Sequence, residues 1–137
     1  MKKILLDTNC ILSYLKNRNE FQFKKMGELF LQISNLELEA FLIGHVISEV
    51  IFVLENLYGA NRKDIHKILT GLLANPGVSF ESGYFPERIF EIWPSSFKDY
   101  GDAVIASAAY ELNLEVATFD ASFQKELSKY RIKSYMF

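Results

Sequence analysis

The sequence has little of the residues that build disulfide frameworks and soft-metal sites. Its single cysteine, Cys10, excludes an internal disulfide and any cysteine-based zinc site. The two histidines, His45 and His66, are too few for a histidine-rich metal site, and we interpret them as structural residues. Cys10 precedes Ile11 and Leu12, a context that favours a small buried side chain.

Long apolar runs are also absent. The first run, Ile4-Leu5-Leu6, is far shorter than the roughly 7–15 residues of a signal-peptide core. The longest stretch without a charge, Ile68 to Phe80, has thirteen residues and contains Asn75 and Pro76. A membrane-spanning helix needs about 20 apolar residues. We therefore expect a cytoplasmic protein without a transmembrane segment.

Neither sign of charge dominates the chain. Fifteen basic and seventeen acidic residues give a net charge of −2, which argues against binding nucleic acid by bulk electrostatics. Apolar residues, in contrast, make up 50% of the chain and aromatic residues 15%, enough for a folded core. The length of 137 residues predicts a single domain over 1–137.

Strand and helix signals alternate along the chain. This alternation predicts an α/β fold, with a mostly parallel sheet of four to five strands flanked by helices. Segment 83–98 gives no clear signal. The predicted strands cover 4–6, 40–43, 78–80, 114–119 and 132–135, and the predicted helices cover 10–17, 21–38, 45–58, 61–74, 101–112 and 121–130.

Two aspartates directly follow predicted strands. Asp7 ends the first strand and Asp120 follows the strand over 114–119. Both are therefore expected at the carboxyl edge of a parallel sheet, where ligands collect. Each also precedes a helix, so N-capping alone would explain either residue taken singly.

Glu49 is expected on the apolar face of a helix. It stands three residues after Val46 and four before Val53, and an unpaired carboxylate on a buried face nearly always has a partner or a cation. No lysine or arginine occurs between Lys25 and Arg62, so we expect Glu49 to have no local partner on its helix. The alternative is that Glu49 lies at the edge of the apolar stripe, in solvent.

Asp102 begins another apolar face, which continues at Ile105, Ala106 and Ala109. It also falls in the first turn of its helix, where the helix dipole stabilises an anion. A structural and a functional role are therefore both open for this acid. Asp99, three residues earlier, is an equally good candidate for the N-cap.

The conjunction of these four acids is more informative than any one of them. Two strand-end aspartates and two helix carboxylates would meet at one edge of the sheet, where like charges repel unless a cation is bound. Carboxylate ligands without histidine or cysteine favour Mg²⁺ or Mn²⁺. A metal held in this way is suited to in-line hydrolysis of a phosphodiester.

The segments that carry these acids resemble the motifs of the PIN domain family. They are Ile4–Asn9, Ser48–Val50, Gly101–Ala106 and Ala117–Phe123, and the acids are separated by 42, 53 and 18 positions. The order and the gaps suit a small PIN domain, and the resemblance covers essentially the whole chain. It implies a Rossmann-like sheet flanked by helices.

The same resemblance implies a Mg²⁺- or Mn²⁺-dependent ribonuclease that leaves a 5′-phosphate and a 3′-hydroxyl. Asp7, Glu49 and Asp102 correspond to the core acidic triad of the family, and Asp120 to its frequent fourth acid. By the same analogy these four residues would be both catalytic and metal-binding. Thr8 and Thr118 resemble the hydroxyl residues that position the first acid, the metal or water.

The compact length is similar to that of VapC-type toxins of type II toxin–antitoxin systems, which implies an RNA substrate, an antitoxin protein and a homodimer as partners. The alternatives are a housekeeping PIN-domain RNA-processing nuclease and a degenerate, non-catalytic binding module. A haloacid dehalogenase-type phosphohydrolase fits less well, because Asn9 and Ile11 stand where its Asp-x-Asp-x-Thr motif requires Asp and Thr. A receiver domain has no role for Glu49.

Two sets of residues have no assigned motif. The aromatic residues of segment 80–98 favour core packing, with a dimer or antitoxin surface as the alternative. Basic residues that could line an RNA path are Arg18, Arg62 and Lys63, although such residues more often form a solvated face. The aromatic residues are Phe80, Tyr84, Phe85, Phe90, Trp93 and Phe97.

Overall fold

A computed structural model describes residues 1–137 and contains one four-stranded sheet. The strands are β1 (Lys2–Leu6), β2 (Leu38–Ile43), β3 (Val78–Glu81) and β4 (Glu115–Ala117). They lie in the order β3-β2-β1-β4, and every neighbouring pair is parallel. The α/β fold with a parallel sheet is confirmed.

Seven helices connect and cover the strands. None of them combines the length and the apolar character that a bilayer crossing requires. They are α1 (Thr8–Leu15), α2 (Glu20–Ser34), α3 (Gly44–Asn56), α4 (Arg62–Leu73), α5 (Pro86–Ile92), α6 (Tyr100–Leu112) and α7 (Ala121–Lys129).

The core lies on both sides of the sheet. Ile4, Leu5 and Leu6 follow one another in β1, and all three side chains are fully buried. Because successive strand residues point to opposite faces, this run requires both faces to be covered. A continuous apolar run, rather than an alternating one, is the sequence signature of such a central parallel strand.

The path of the chain creates a crevice beside β1. The chain passes from β1 outward to β2 and β3, and then crosses to β4 on the other side of β1. The strand order thus reverses between β1 and β4. In open α/β sheets, ligands bind at the carboxyl ends of the strands at such a switch point.

Two sequence predictions were wrong in this fold: the strand over 132–135, and the end of the helix over 21–38, because α2 ends at Ser34 and β2 begins at Leu38. The predicted strand over 132–135 is absent, since only a single parallel bridge joins Ser134 to Val116. Segment 83–98, which gave no clear signal, contains α5, whose first residue is Pro86. A proline fits the first turn of a helix because its missing N–H has no partner there.

The aromatic residues of segment 80–98 divide between core and surface. Phe97 is fully buried, and Phe85 and Trp93 pack against the core. The other three, Phe80, Tyr84 and Phe90, are exposed. Core packing therefore explains half of this set.

Gly77 provides a test of the packing beneath the sheet. A Cβ on this residue would overlap the backbone carbonyl oxygen of Ile33 and lie 2.7 Å from its Cγ2 atom. We expect Gly77→Ala to destabilise the protein by about 3 kcal/mol, because backbone atoms must move to admit the methyl group. Urea unfolding measures the change in the free energy of unfolding.

Gly71→Ala is the matched control. Gly71 lies inside α4 with no atom within 4 Å of its hypothetical Cβ. We expect this variant to gain about 1 kcal/mol from helix propensity. Equal effects of the two substitutions would contradict the packing described here.

Candidate metal and active site

Asp7 leaves the carboxyl end of β1 and is the N-cap of α1. Its backbone N–H donates to the carbonyl oxygen of Ala117 in β4 at 3.0 Å, so the residue lies in the crevice between the two strands. Only 7% of Asp7 is exposed. The expected strand-end position of this carboxylate is present, and so is its capping role.

Both carboxylate oxygens of Asp7 accept hydrogen bonds. Oδ1 accepts from the backbone N–H of Thr8 at 2.7 Å. Oδ2 accepts from the hydroxyl of Thr118 at 2.7 Å and from the side-chain amide of Asn9 at 3.2 Å. These bonds fix the orientation of a buried anion that has no cationic partner.

Asp120 follows β4 and is attached to the same network. Its backbone N–H donates to the hydroxyl oxygen of Thr118 at 3.1 Å. Its Oδ1 accepts from the backbone N–H of Phe123 at 3.1 Å, as the N-cap of α7. The side chain is exposed beside the crevice. Thr118 therefore connects Asp120 to Asp7.

Glu49 reaches the site from the middle of α3. Its Oε1 accepts from the hydroxyl of Thr8 at 3.3 Å and lies 2.7 Å from Nε2 of His45. The side chain is 43% exposed, so Glu49 borders the apolar face instead of lying within it. The prediction that it lacks a local partner was wrong, because His45 is four residues earlier on the same helix.

Asp102 enters from the first turn of α6. Its backbone N–H donates to Oδ1 of Asp99 at 2.9 Å, which makes Asp99 the N-cap as its position predicted. The carboxylate of Asp102 takes part in none of the hydrogen bonds or ion pairs of the structure. It is half-buried. Of the four carboxylates, that of Asp102 is the only one without a hydrogen bond.

The pKa values of two carboxyls reflect this crowding. Burial raises the pKa of Asp7 to about 6, against the lowering effect of its bonds from Thr118 and Thr8, and the charges of Glu49 and Asp120 raise it further. Burial also raises the pKa of Asp102 to about 7, with added repulsion from Asp99, Asp7 and Asp120. The acids therefore act on one another across a single site.

Glu49 behaves in the opposite way. Its contact with His45 lowers the pKa of the Glu49 carboxyl, and the same contact raises the pKa of the His45 imidazole. At neutral pH the raised pKa of Asp102 leaves a substantial fraction of that carboxyl protonated, whereas Asp7, with a pKa of about 6, and Glu49, with a lowered pKa, are mainly anions.

The sequence comparison decides the family. The PIN domain family model matches residues 4–126, which is most of the chain. The protein belongs to the PIN domain family. No curated protein matches the chain.

Solved structures share the fold of this PIN domain. VapBC2 from Rickettsia felis, bound to a DNA fragment from its promoter, is similar with a TM-score of 0.65 and 15% identity, over 98% of both chains. FitAcB from Neisseria gonorrhoeae has a TM-score of 0.59 and 21% identity, over 97% of this chain and 96% of its own. VapBC-1 from nontypeable Haemophilus influenzae has a TM-score of 0.59 and 18% identity, with the same coverage.

The donor set of this PIN domain fits a hard divalent cation. All candidate ligands are carboxylate oxygens, and none of the five aspartates of the chain forms an ion pair. No three acidic, histidine or cysteine side chains converge into a ready coordination group. Mg²⁺ commonly keeps several waters and takes only one or two carboxylates directly, so an open arrangement suits it.

The three basic candidates lie in different places. The guanidinium of Arg18 donates to the backbone oxygen of Asn9 at 3.1 Å, next to the acids. Arg62 and Lys63 are exposed in the first turn of α4, and Arg62 pairs with Glu55 at 2.9 Å. Of the three, only Arg18 contacts the acid network.

Sequence reasoning gave three residues no role in this site, although Asp99 was a candidate N-cap and Asn9 lay within a motif segment. Asn9 bridges Asp7 and Thr118, Asp99 adds a fifth carboxylate beside Asp102, and His45 contacts Glu49. The signal for His45 was its i−4 spacing from Glu49, which is the spacing of helical ion pairs.

Proposed function

We propose that this PIN domain is a Mg²⁺- or Mn²⁺-dependent endoribonuclease, with Asp7, Glu49, Asp102 and Asp120 as its metal-binding and catalytic acids. The observation that carries the proposal is that four carboxylates from four elements border one crevice, although they do not converge into a ready coordination group. Thr8 and Thr118 connect Glu49 and Asp120 to Asp7, the charges of Asp7 and Asp120 raise the pKa of Asp102, and no aspartate forms an ion pair. Such a site is costly for a protein unless a cation compensates it.

The divalent cation supplies activation of water and charge neutralisation at the scissile phosphate when it is bound. The chain's own residues prepare the anionic site. Thr8, Asn9 and Thr118 hold Asp7 in one orientation, which leaves its remaining lone pairs for a ligand. Asp102 is half-buried and its carboxylate has no hydrogen-bond partner, so it would be free to hold the cation or to take a proton from the attacking nucleophile.

We further propose that the chain is the toxin of a toxin–antitoxin pair and that its partner is an antitoxin protein. The support is the likeness, over nearly the full length of both chains, to structures named VapBC and FitAcB. Exposed Phe90 and Tyr84 offer apolar contact area to a partner or to a second copy. Induction in a bacterial host is expected to arrest growth, and an unchanged growth rate would favour a housekeeping nuclease.

Removal of the metal tests the nuclease proposal directly. We expect the purified protein to cut single-stranded RNA in millimolar Mg²⁺ or Mn²⁺, to lose activity in EDTA, and to recover it when excess metal is restored. End-labelling of the products should detect 5′-phosphates and 3′-hydroxyls. Cleavage that persists in EDTA would contradict the proposal, and no cleavage of any RNA would favour a non-catalytic binding module.

A further inference from the structure

His45, which lies outside the motif segments, closely approaches Gly101, the first residue of the segment Gly101–Ala106. Nε2 of His45 is buried and has no aligned hydrogen-bond partner, although Oε1 of Glu49 lies only 2.7 Å away. The ring of His45 packs edge-on to Tyr100, with centroids 6.2 Å apart, so its position is held from a second side.

Gly101 makes room for this pair. A Cβ on Gly101 would lie 2.9 Å from Nε2 of His45, 3.1 Å from Oδ1 of Asp99 and 3.4 Å from Oε1 of Glu49. The backbone conformation of Gly101 is not of the kind that requires glycine, since its φ is not positive. The absence of a side chain is therefore explained by the close approach of α3 to α6 at the site.

We propose that His45 is a positioning residue that holds Oε1 of Glu49 and so turns the other carboxylate oxygen towards the bound cation, and that Gly101 is required for this placement. The inference rests on the proposed function. Thr8 donates to Oε1 at 3.3 Å, and Nε2 of His45 approaches the same oxygen at 2.7 Å, whereas Oε2 takes part in no hydrogen bond or ion pair. Partners of this kind orient metal ligands, and their loss typically weakens metal affinity about 10- to 100-fold.

Two substitutions of His45 separate hydrogen bonding from packing. In His45→Gln the amide nitrogen can reach the place of Nε2, whereas the shorter His45→Asn cannot reach Glu49. We expect His45→Asn to weaken Mn²⁺ binding about 10-fold and His45→Gln to stay close to wild type. Titration calorimetry and Mn²⁺ electron paramagnetic resonance measure the dissociation constant, and kcat for RNA should fall in His45→Asn with little change in KM.

His66→Asn is the matched control, since His66 is the other histidine of the chain and is exposed on α4. It should bind Mn²⁺ as the wild type does. Equal affinity of His45→Asn and wild type would overturn the inference. So would a loss in His45→Gln as large as that in His45→Asn, because the hydrogen bond would then not be the cause.

Gly101→Ala supplies an independent test. Alone, it should weaken Mn²⁺ binding as His45→Asn does, because the new methyl group displaces the imidazole. In the His45→Asn background the loss from Gly101→Ala should be smaller, since the nearest atom has been removed and only Oδ1 of Asp99, at 3.1 Å, and Oε1 of Glu49, at 3.4 Å, remain close. Fully additive losses would contradict a common mechanism.

Failure of the wild type to bind Mn²⁺ would overturn the proposed function instead. In that case the contact itself is tested by urea unfolding, without metal, of His45→Asn, Glu49→Gln and the double variant. Non-additive shifts of the unfolding midpoint would uphold the pairing of His45 with Glu49, and additive shifts would overturn it.

Discussion

Replacing Asp7 with asparagine is expected to reduce metal-dependent RNA cleavage by at least about a thousandfold, which corresponds to roughly 4 kcal/mol of transition-state stabilisation. Asp7 is the most buried of the four acids and the one whose two oxygens are both oriented by hydrogen bonds. Asparagine keeps the shape of the side chain but removes the charge that a cation needs. Single-turnover cleavage of a fixed RNA in saturating Mg²⁺ measures the effect.

Asp64→Asn is the control for this experiment. Asp64 is the only one of the five aspartates that does not lie beside the crevice next to β1, and it is exposed in the first turn of α4. Its substitution should leave the cleavage rate unchanged. Comparable cleavage by Asp7→Asn and wild type would mean that the crevice beside β1 is not where the reaction takes place.

The second large effect concerns stability. Asp102→Asn is expected to stabilise the metal-free protein at pH 8 by about 2 kcal/mol. The folded-state pKa of Asp102, about 7, lies above its ordinary value of 3.8. A shift of this size corresponds to about 4 kcal/mol, and we take about half because the group is half-exposed and solvent screens it.

The pH dependence has a definite sign. Because the folded state binds the proton of Asp102 more tightly than the unfolded state does, the stability that this group contributes is present below about pH 4. It is lost as the pH rises through 7. Asparagine imitates the protonated acid at every pH, so the advantage of the variant over wild type should grow between pH 4 and pH 8.

Urea unfolding in EDTA at several pH values checks this expectation. Saturating Mg²⁺ should reverse the order at pH 8, because a cation bound to the native state stabilises the wild type by mass action. A variant that is less stable than wild type at pH 8 without metal would show that Asp102 is not a strained anion.

The sequence predicted the layout of the fold because its strongest signals are local. The fully apolar run at Ile4–Leu6 and the polar residues after it fix both β1 and the start of α1. The hydrophobic pattern fails to predict the structure where a helix or strand is short or interrupted. Helix α5 has only seven residues and begins at Pro86, and the last predicted strand follows Arg131, whose positive φ turns the chain so that one bridge forms at Ser134.

The part of the site that could be predicted from the sequence is the part that sheet topology alone places. Asp7 and Asp120 could be placed at one edge of the sheet because the carboxyl ends of parallel strands coincide there. The environment of Glu49 could not be predicted from topology, because it depends on how closely α3 approaches α6. The missing side chain of Gly101 permits that close approach. Counting only lysine and arginine as partners also overlooked His45.

The hydrogen bonds of Asp7 to Ala117 and Thr118 have a consequence for how the protein is made. They join residues about 110 positions apart, so β1 obtains its second neighbour only when β4 has been synthesised. Contacts of such long range are formed late, because loop closure must precede them. Until then Asp7 lacks the bonds from β4, and Asp102 and Asp120 have no fixed place beside it. The crevice beside β1 therefore acquires its complete set of acids only after nearly the whole chain has been synthesised.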